Sequence, residues 1–218
     1  MVQYTVDQAF VVQQAQTILR AYKNKADFIE DDPKRGQARA YITKGGTLVI
    51  RGTDSGKDLI RFGLDFNPAH KPGLGSRIKF LSEYTKWFPG YVEHAALMLL
   101  YVKELKPRFL LGHSMGGAAC AVLGSRLRIP TLTFACPGVV DGRRRGHNSR
   151  YVLNIVRGDD WIPSLTTSIF KHKLFGDAIT LSANDDPVEA HFMKNYAKLV
   201  AWPRFSEEFD TVLPRVND

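Results

Sequence analysis

The chain has 218 residues, of which 44% are hydrophobic and 24% charged, with a formal net charge of +8. That length suits one α/β domain, and such a chain buries enough core to need no disulfide or metal staple. No run of 18 apolar residues exists, which excludes a membrane-spanning helix. Residues 1–20 lack a basic start followed by an apolar core, so no secretory signal is read there and a cytoplasmic protein is expected. Only two cysteines occur, Cys120 and Cys136, which suggests two buried thiols in a reducing compartment rather than a metal or disulfide framework. The positive charge favours anionic partners, although solubility alone explains it equally well and no nucleic-acid motif accompanies it.

In chain order, residues 4–23 place apolar side chains (Phe10, Val11, Ala15, Ile18, Leu19, Tyr22) at helical spacing, predicting an opening helix. Residues 38–51 carry two short β-type runs around Lys44-Gly45-Gly46, a hairpin signature in which Gly45 and Gly46 supply positive φ. Residues 67–75, with Pro68, Pro72, Gly73 and Gly75, predict a loop. Residues 91–105 are apolar on a broad face with Glu93 early and Lys103 late, as a helix dipole prefers. Phe109-Leu110-Leu111 predicts a buried strand, residues 118–127 a helix, and residues 131–135 and 151–156 two further strands. A basic loop over 138–150 separates those two strands. A last strand is expected near 178–182, and a closing helix over 187–202 that begins at Pro187. This alternation predicts one α/β domain over 1–218 with a mostly parallel central sheet, helices on both faces and the hairpin towards the N-terminus.

Gly112-His113-Ser114-Met115-Gly116-Gly117 fits the pattern G-x-S-x-G. In that motif a serine nucleophile sits on a strained strand-to-helix turn, and small residues two before and two after it let backbone approach closely. The pattern arises by chance in roughly one chain of this length in fifteen, given ordinary glycine content. Here, however, an apolar strand precedes it and an Ala-rich helix follows. The amide of Met115, at the start of that helix, can stabilise an oxyanion.

Four segments in order carry a resemblance to a known family: Leu48-Val49-Ile50-Arg51-Gly52-Thr53, the elbow at 112–117, Thr133-Phe134-Ala135-Cys136-Pro137-Gly138-Val139, and Asp160-Trp161-Ile162-Pro163. The chain resembles the class 3, fungal-lipase-like branch of the α/β-hydrolases over about residues 38–200. Cys136 stands where the family has a small residue and Gly138 where a basic one is frequent, and the stretch between Thr53 and Tyr91 carries no clear copy of the family pattern. The resemblance implies an α/β-hydrolase fold and a carboxylic ester hydrolase working on lipid esters without a metal or cofactor. A phospholipase A1, a short-chain esterase or a thioesterase fits the same residues, and so does a hydrolase-like fold kept as a binding module.

In α/β-hydrolases the acid and then the histidine follow the nucleophile in the chain. Asp159 and Asp160 both follow the strand at 151–156, and the resemblance selects Asp160, three residues before Pro163. Asp159 is then expected to cap the following turn, and Asp141 is a lesser candidate. His147 precedes Asp160, which leaves His172 and His191. Ala190-His191-Phe192-Met193-Lys194-Asn195-Tyr196 resembles the family's His-Ser-Met-x-x-Tyr, which selects His191, whereas His172 resembles a non-catalytic histidine before the last strand. The resemblance also makes the Thr53 amide the second oxyanion donor beside Met115. Phe66, Leu74, Ile78, Phe80, Leu81, Trp87 and Phe88 could line an acyl pocket or be ordinary core. Arg143-Arg144-Arg145, in the loop after a strand, could meet phosphate or an anionic lipid surface or be plain solvated charge.

Overall fold

A computed structural model describes residues 3–23, 28–31, 40–52, 74–141, 147–168, 171–209 and 211–214. In chain order the elements are β1 (Gln3–Val6), α1 (Gln8–Tyr22), β2 (Phe28–Asp31), β3 (Ala40–Thr43), β4 (Thr47–Ile50), α2 (Leu74–Leu81), α3 (Pro89–Leu105), β5 (Phe109–His113) and α4 (Met115–Leu127). They continue with β6 (Thr131–Phe134), β7 (Val140–Asp141), β8 (Val152–Arg157), α5 (Trp161–Ser168), β9 (His172–Lys173), β10 (Asp177–Leu181), α6 (Pro187–Ala190), α7 (Met193–Val200) and β11 (Thr211–Pro214).

Among the described residues, seven strands form the main sheet in the order β10-β8-β6-β5-β4-β3-β2. The pairs from β4 to β10 are parallel, and β2-β3-β4 are antiparallel. Parallel neighbours require crossovers. The crossover helices α2, α3 and α4 cover one face, and α1 and α7, which lie before and after the sheet strands in the chain, cover the other. Leu48, Ile50 and Leu110 face one way into a core with α2, α3 and α4. Val49, Leu111 and Leu132 face the other way into a core with α1 and α7. Asn154, the polar residue inside β8, is satisfied: its carbonyl accepts from the Thr133 hydroxyl at 2.7 Å, and its amide donates to the Phe175 and Asp177 carbonyls at 2.8 and 2.9 Å.

The hairpin β3–β4 forms as expected, with Gly46 at φ 80°. Gly45 has no positive φ, so one glycine rather than two makes the turn. Residues 3–6 are not helical. They pair antiparallel with residues 211–214, and the Asp7 side chain caps α1 by accepting from Phe10 N–H at 2.7 Å. Pairing with the far end of the chain overrides the local helical pattern. Leu74 and Gly75 open α2 instead of ending a loop. Leu74, Leu81 and Trp87 are buried in the core of α3 and α4, the plain core reading, whereas Phe80 is 37% exposed. Phe66 lies outside the described residues. Both thiols are buried and free. Burial pushes both up, Cys136 to about 12. No described helix is long and apolar enough to cross a membrane.

Candidate active site

β5 and β8 end at one edge of the sheet, and the chain leaving each carries a candidate residue there. At the end of β5, Ser114 has φ 56° and ψ −126°, a conformation that costs a side-chain-bearing residue about 1–3 kcal/mol. Its surroundings hold it there. Ser114 N–H donates to the Phe134 carbonyl at 2.9 Å, and its own carbonyl accepts from Ala118 N–H at 3.1 Å. The elbow glycines are required by close backbone. A Cβ on Gly112 would stand 2.6 Å from the Gly116 carbonyl oxygen, and one on Gly116 would strike the Ile50 carbonyl. Met115 opens α4, so its N–H belongs to a helical first turn that has no intrahelical acceptor.

Asp160 follows β8 and is fully buried. Its Oδ1 accepts from Ile162 N–H at 3.0 Å, and its Oδ2 accepts from the Tyr196 hydroxyl at 2.8 Å. Both oxygens lie 3.0 Å from His191 Nδ1. His191 Nε2 lies 2.9 Å from Ser114 Oγ. A carboxylate can only accept here, so Nδ1 carries the proton of the neutral ring and Nε2 presents its lone pair to the Ser114 hydroxyl. An imidazole so held can remove that proton, and the carboxylate beside it stabilises the resulting imidazolium.

The expected helix over 187–202 breaks at this point. α6 stops at Ala190, and Phe192, with φ −70° and ψ 135°, starts α7 afresh. Asp186 caps α6 by accepting from Val188 and Glu189 N–H, and the Asn195 amide ties α7 back to the Glu189 carbonyl. His191 occupies the break, which turns its ring to Ser114.

Asp159 does not cap the following turn. Asp160 does, through Ile162 N–H. The Asp159 carboxylate instead takes two hydrogen bonds from Arg157, at 2.9 and 2.8 Å, and one from Asp185 N–H at 2.7 Å. Those bonds hold it below the usual carboxylate range. Arg157 also reaches Asp185 at 2.6 Å. Burial works against this guanidinium, but its bonds to Asp159 and Asp185 outweigh that and raise its pKa. The loop that carries Asp160 is thereby clamped to the segment leading into His191.

His172 lies on β9, opposite Asp141 of β7, with its ring 4.8 Å from Phe88. His172 thus sits beside Phe88 and β7, whereas His191 is the histidine at Ser114. A Cβ on Gly138 would come within 2.8 Å of the His172 carbonyl, which accounts for glycine there. Thr53, Arg143, Arg144 and Arg145 lie outside the described residues. Gly52, just before Thr53, abuts the elbow so closely that a Cβ there would meet Ser114 Cβ at 2.9 Å.

No protein-family model matches the chain, and no curated protein matches it either. Among solved structures, the fold is similar to the crystal structure of Lip2 lipase from Yarrowia lipolytica, with a TM-score of 0.52, over 83% of each chain and at 14% identity. The fold is that of the α/β-hydrolases. Within this α/β-hydrolase fold, four side chains beside the cluster escaped sequence reasoning: Tyr22, His113, Arg157 and Tyr196. His113 and Tyr196 lay inside quoted motifs, but their partners are set by strand register. Tyr22 and Arg157 carry no local signal beyond a helical apolar face and a strand end.

Proposed function

We propose that this chain is a carboxylic ester hydrolase acting on lipid esters, with Ser114 as nucleophile, His191 as base and Asp160 as its orienting acid. The observation that carries this reading is the hydrogen-bonded line from Ser114 Oγ to His191 Nε2 at 2.9 Å and from His191 Nδ1 to Asp160 at 3.0 Å, built on a strained elbow. Ser114 Oγ attacks the ester carbonyl carbon as its proton passes to His191 Nε2. The carbonyl oxygen becomes an oxyanion, held by the Met115 amide and, by the family resemblance, the Thr53 amide. Loss of one such donor costs about 3 kcal/mol of transition-state stabilisation. Collapse breaks the bond to the alkoxide, which takes the proton from His191 and leaves an acyl-serine. Water then attacks, its proton goes to His191 and back to Ser114, and the free acid departs.

Two observations support an apolar acyl substrate: the likeness to a lipase, and the exposure of Val188 (57%) and Phe192 (42%), which flank His191. The Arg143-Arg144-Arg145 run supports contact with an anionic lipid surface. Labelling with a fluorophosphonate tests the core of the reading. The wild type should be labelled and Ser114→Ala should not; a wild type that takes no label favours the binding-module alternative. A series of p-nitrophenyl esters of rising chain length, followed by triacylglycerol and phospholipid, separates lipase, phospholipase and short-chain esterase. Neutralising the three arginines should reduce turnover of anionic lipid esters more than neutral ones, and equal losses on both would refute the surface contact.

A further inference from the structure

Two side chains without a part in the proton transfers above join the segments that converge on Ser114. Tyr22, the last residue of α1, places its hydroxyl oxygen 3.0 Å from Gly52 N and 2.7 Å from His113 Nδ1. An amide N–H only donates, so Tyr22 Oη accepts from Gly52. His113 Nε2 lies 3.0 Å from the His191 carbonyl oxygen, which only accepts, so Nε2 carries a proton. His113 is buried, and burial first, then the neighbouring His191, pushes its pKa down to about 3. A neutral ring with its proton on Nε2 has a lone pair on Nδ1, and the Tyr22 hydroxyl donates to it. The direction of every bond is fixed: Gly52 N–H to Tyr22 Oη, Tyr22 O–H to His113 Nδ1, His113 Nε2–H to the His191 carbonyl.

The consequence is mechanical. His113 and Ser114 are consecutive, and both grip His191, one at its backbone carbonyl and the other at its ring. His191 sits in the break between α6 and α7, so this two-point attachment to one strand end sets the serine–imidazole distance. Through Tyr22 the same chain of bonds reaches the Gly52 amide, at the exit of β4 towards Thr53. We propose that Tyr22 and His113 are positioning residues, tying the end of β4 and the backbone of His191 to the strand that carries the nucleophile. This rests on the ester-hydrolase reading. The Tyr22 ring also packs edge-on to His113 at 5.6 Å and lies under the Arg51 guanidinium at 4.6 Å, contacts that a phenylalanine would keep.

Tyr22→Phe therefore separates positioning from packing. With p-nitrophenyl butyrate, and with active enzyme counted by fluorophosphonate titration, Tyr22→Phe should lower kcat about tenfold or more, the scale expected when a reacting group is misplaced. KM should stay within about twofold of the wild type. His113→Gln, whose amide can replace the Nε2–H donor, should keep more activity than His113→Leu, and adding Tyr22→Phe to His113→Leu should cost little more. Long-range nitrogen–proton spectra of the wild type should show His113 as the neutral Nε2–H tautomer from about pH 5 to 8, where an ordinary histidine changes charge. A Tyr22→Phe kcat within about twofold of the wild type would overturn the proposal, as would an Nδ1–H or charged His113. A wild type that neither takes label nor turns over ester overturns the esterase reading instead, and the tautomer spectrum then decides the bond chain by itself.

Discussion

Tyr196→Phe removes one oxygen atom from the centre of the hydrogen bonds that hold Asp160. The Tyr196 side chain is fully buried, and its hydroxyl accepts from Arg157 N–H at 3.0 Å while donating to Asp160 Oδ2 at 2.8 Å. Burial first, and then the Asp160 charge, raise the phenol's pKa well above its ordinary value, so it remains a donor throughout the working range. The phenylalanine ring would keep its edge-on packing against Phe134, with centroids at 6.2 Å, so no cavity opens and the loss is polar. An unpaired buried N–H on Arg157 costs about 1–3 kcal/mol, and the missing charge-assisted bond to Asp160 about 1.5–3 kcal/mol. With partial relaxation the net destabilisation should be about 3 kcal/mol, read as a lower urea midpoint at unchanged m value. Asp160 would keep Ile162 N–H and His191 but lose the hydroxyl donor to Oδ2. A kcat about tenfold lower, or about 1.4 kcal/mol of barrier, is expected on a soluble p-nitrophenyl ester. A stability change below about 0.5 kcal/mol would refute the reasoning, since that is the range of substitutions that disturb nothing.

Three other outcomes follow from the same geometry. Burial lowers His94 to about 4 and His113 to about 3, from an ordinary 6.5, so between 6.5 and those values the unfolded chain binds protons that the folded chain refuses. Stability should therefore fall as pH falls, by about 1.4 kcal/mol per unit for each histidine, or about 2 kcal/mol each by pH ~5. A urea midpoint that stays flat between pH 7 and 5 would contradict this. Ser114→Gly should abolish fluorophosphonate labelling yet stabilise the fold by about 1 kcal/mol, because glycine adopts the elbow's positive φ without strain; a less stable variant would argue against strain at that position. Gly116→Ala should cost more than about 3 kcal/mol or prevent folding, because its Cβ meets the Ile50 carbonyl, which is backbone and cannot swing aside. A folded, active Gly116→Ala protein would refute the close approach of β4 to the elbow.

The parts legible in the sequence are those that local chemistry specifies. Apolar runs of strand length alternating with helical faces over residues 91–157 predict a mostly parallel sheet, and in the fold its parallel part runs from β4 to β10. Glycines two residues either side of Ser114 announce the elbow, since only they admit the backbone that crowds it. Chain order and family-like motifs lead to Asp160 and His191, and the fold brings Asp160 to His191 and His191 to Ser114. The tertiary structure alone decided the remainder. Residues 3–6 became a strand because a partner more than two hundred residues away offered its edge. The helix expected over 187–202 broke at His191, where hydrogen bonds to Ser114, Asp160 and His113 outweigh the few backbone bonds that an unbroken helix would gain. Asp159 went to Arg157 and Asp185 rather than to a turn. Tyr22 and His113, 91 positions apart, meet only because α1 packs across the end of β5. Periodicity records which face of an element is buried, whereas hydrogen bonds between distant side chains depend on strand register and helix placement, which exist only once the chain has folded.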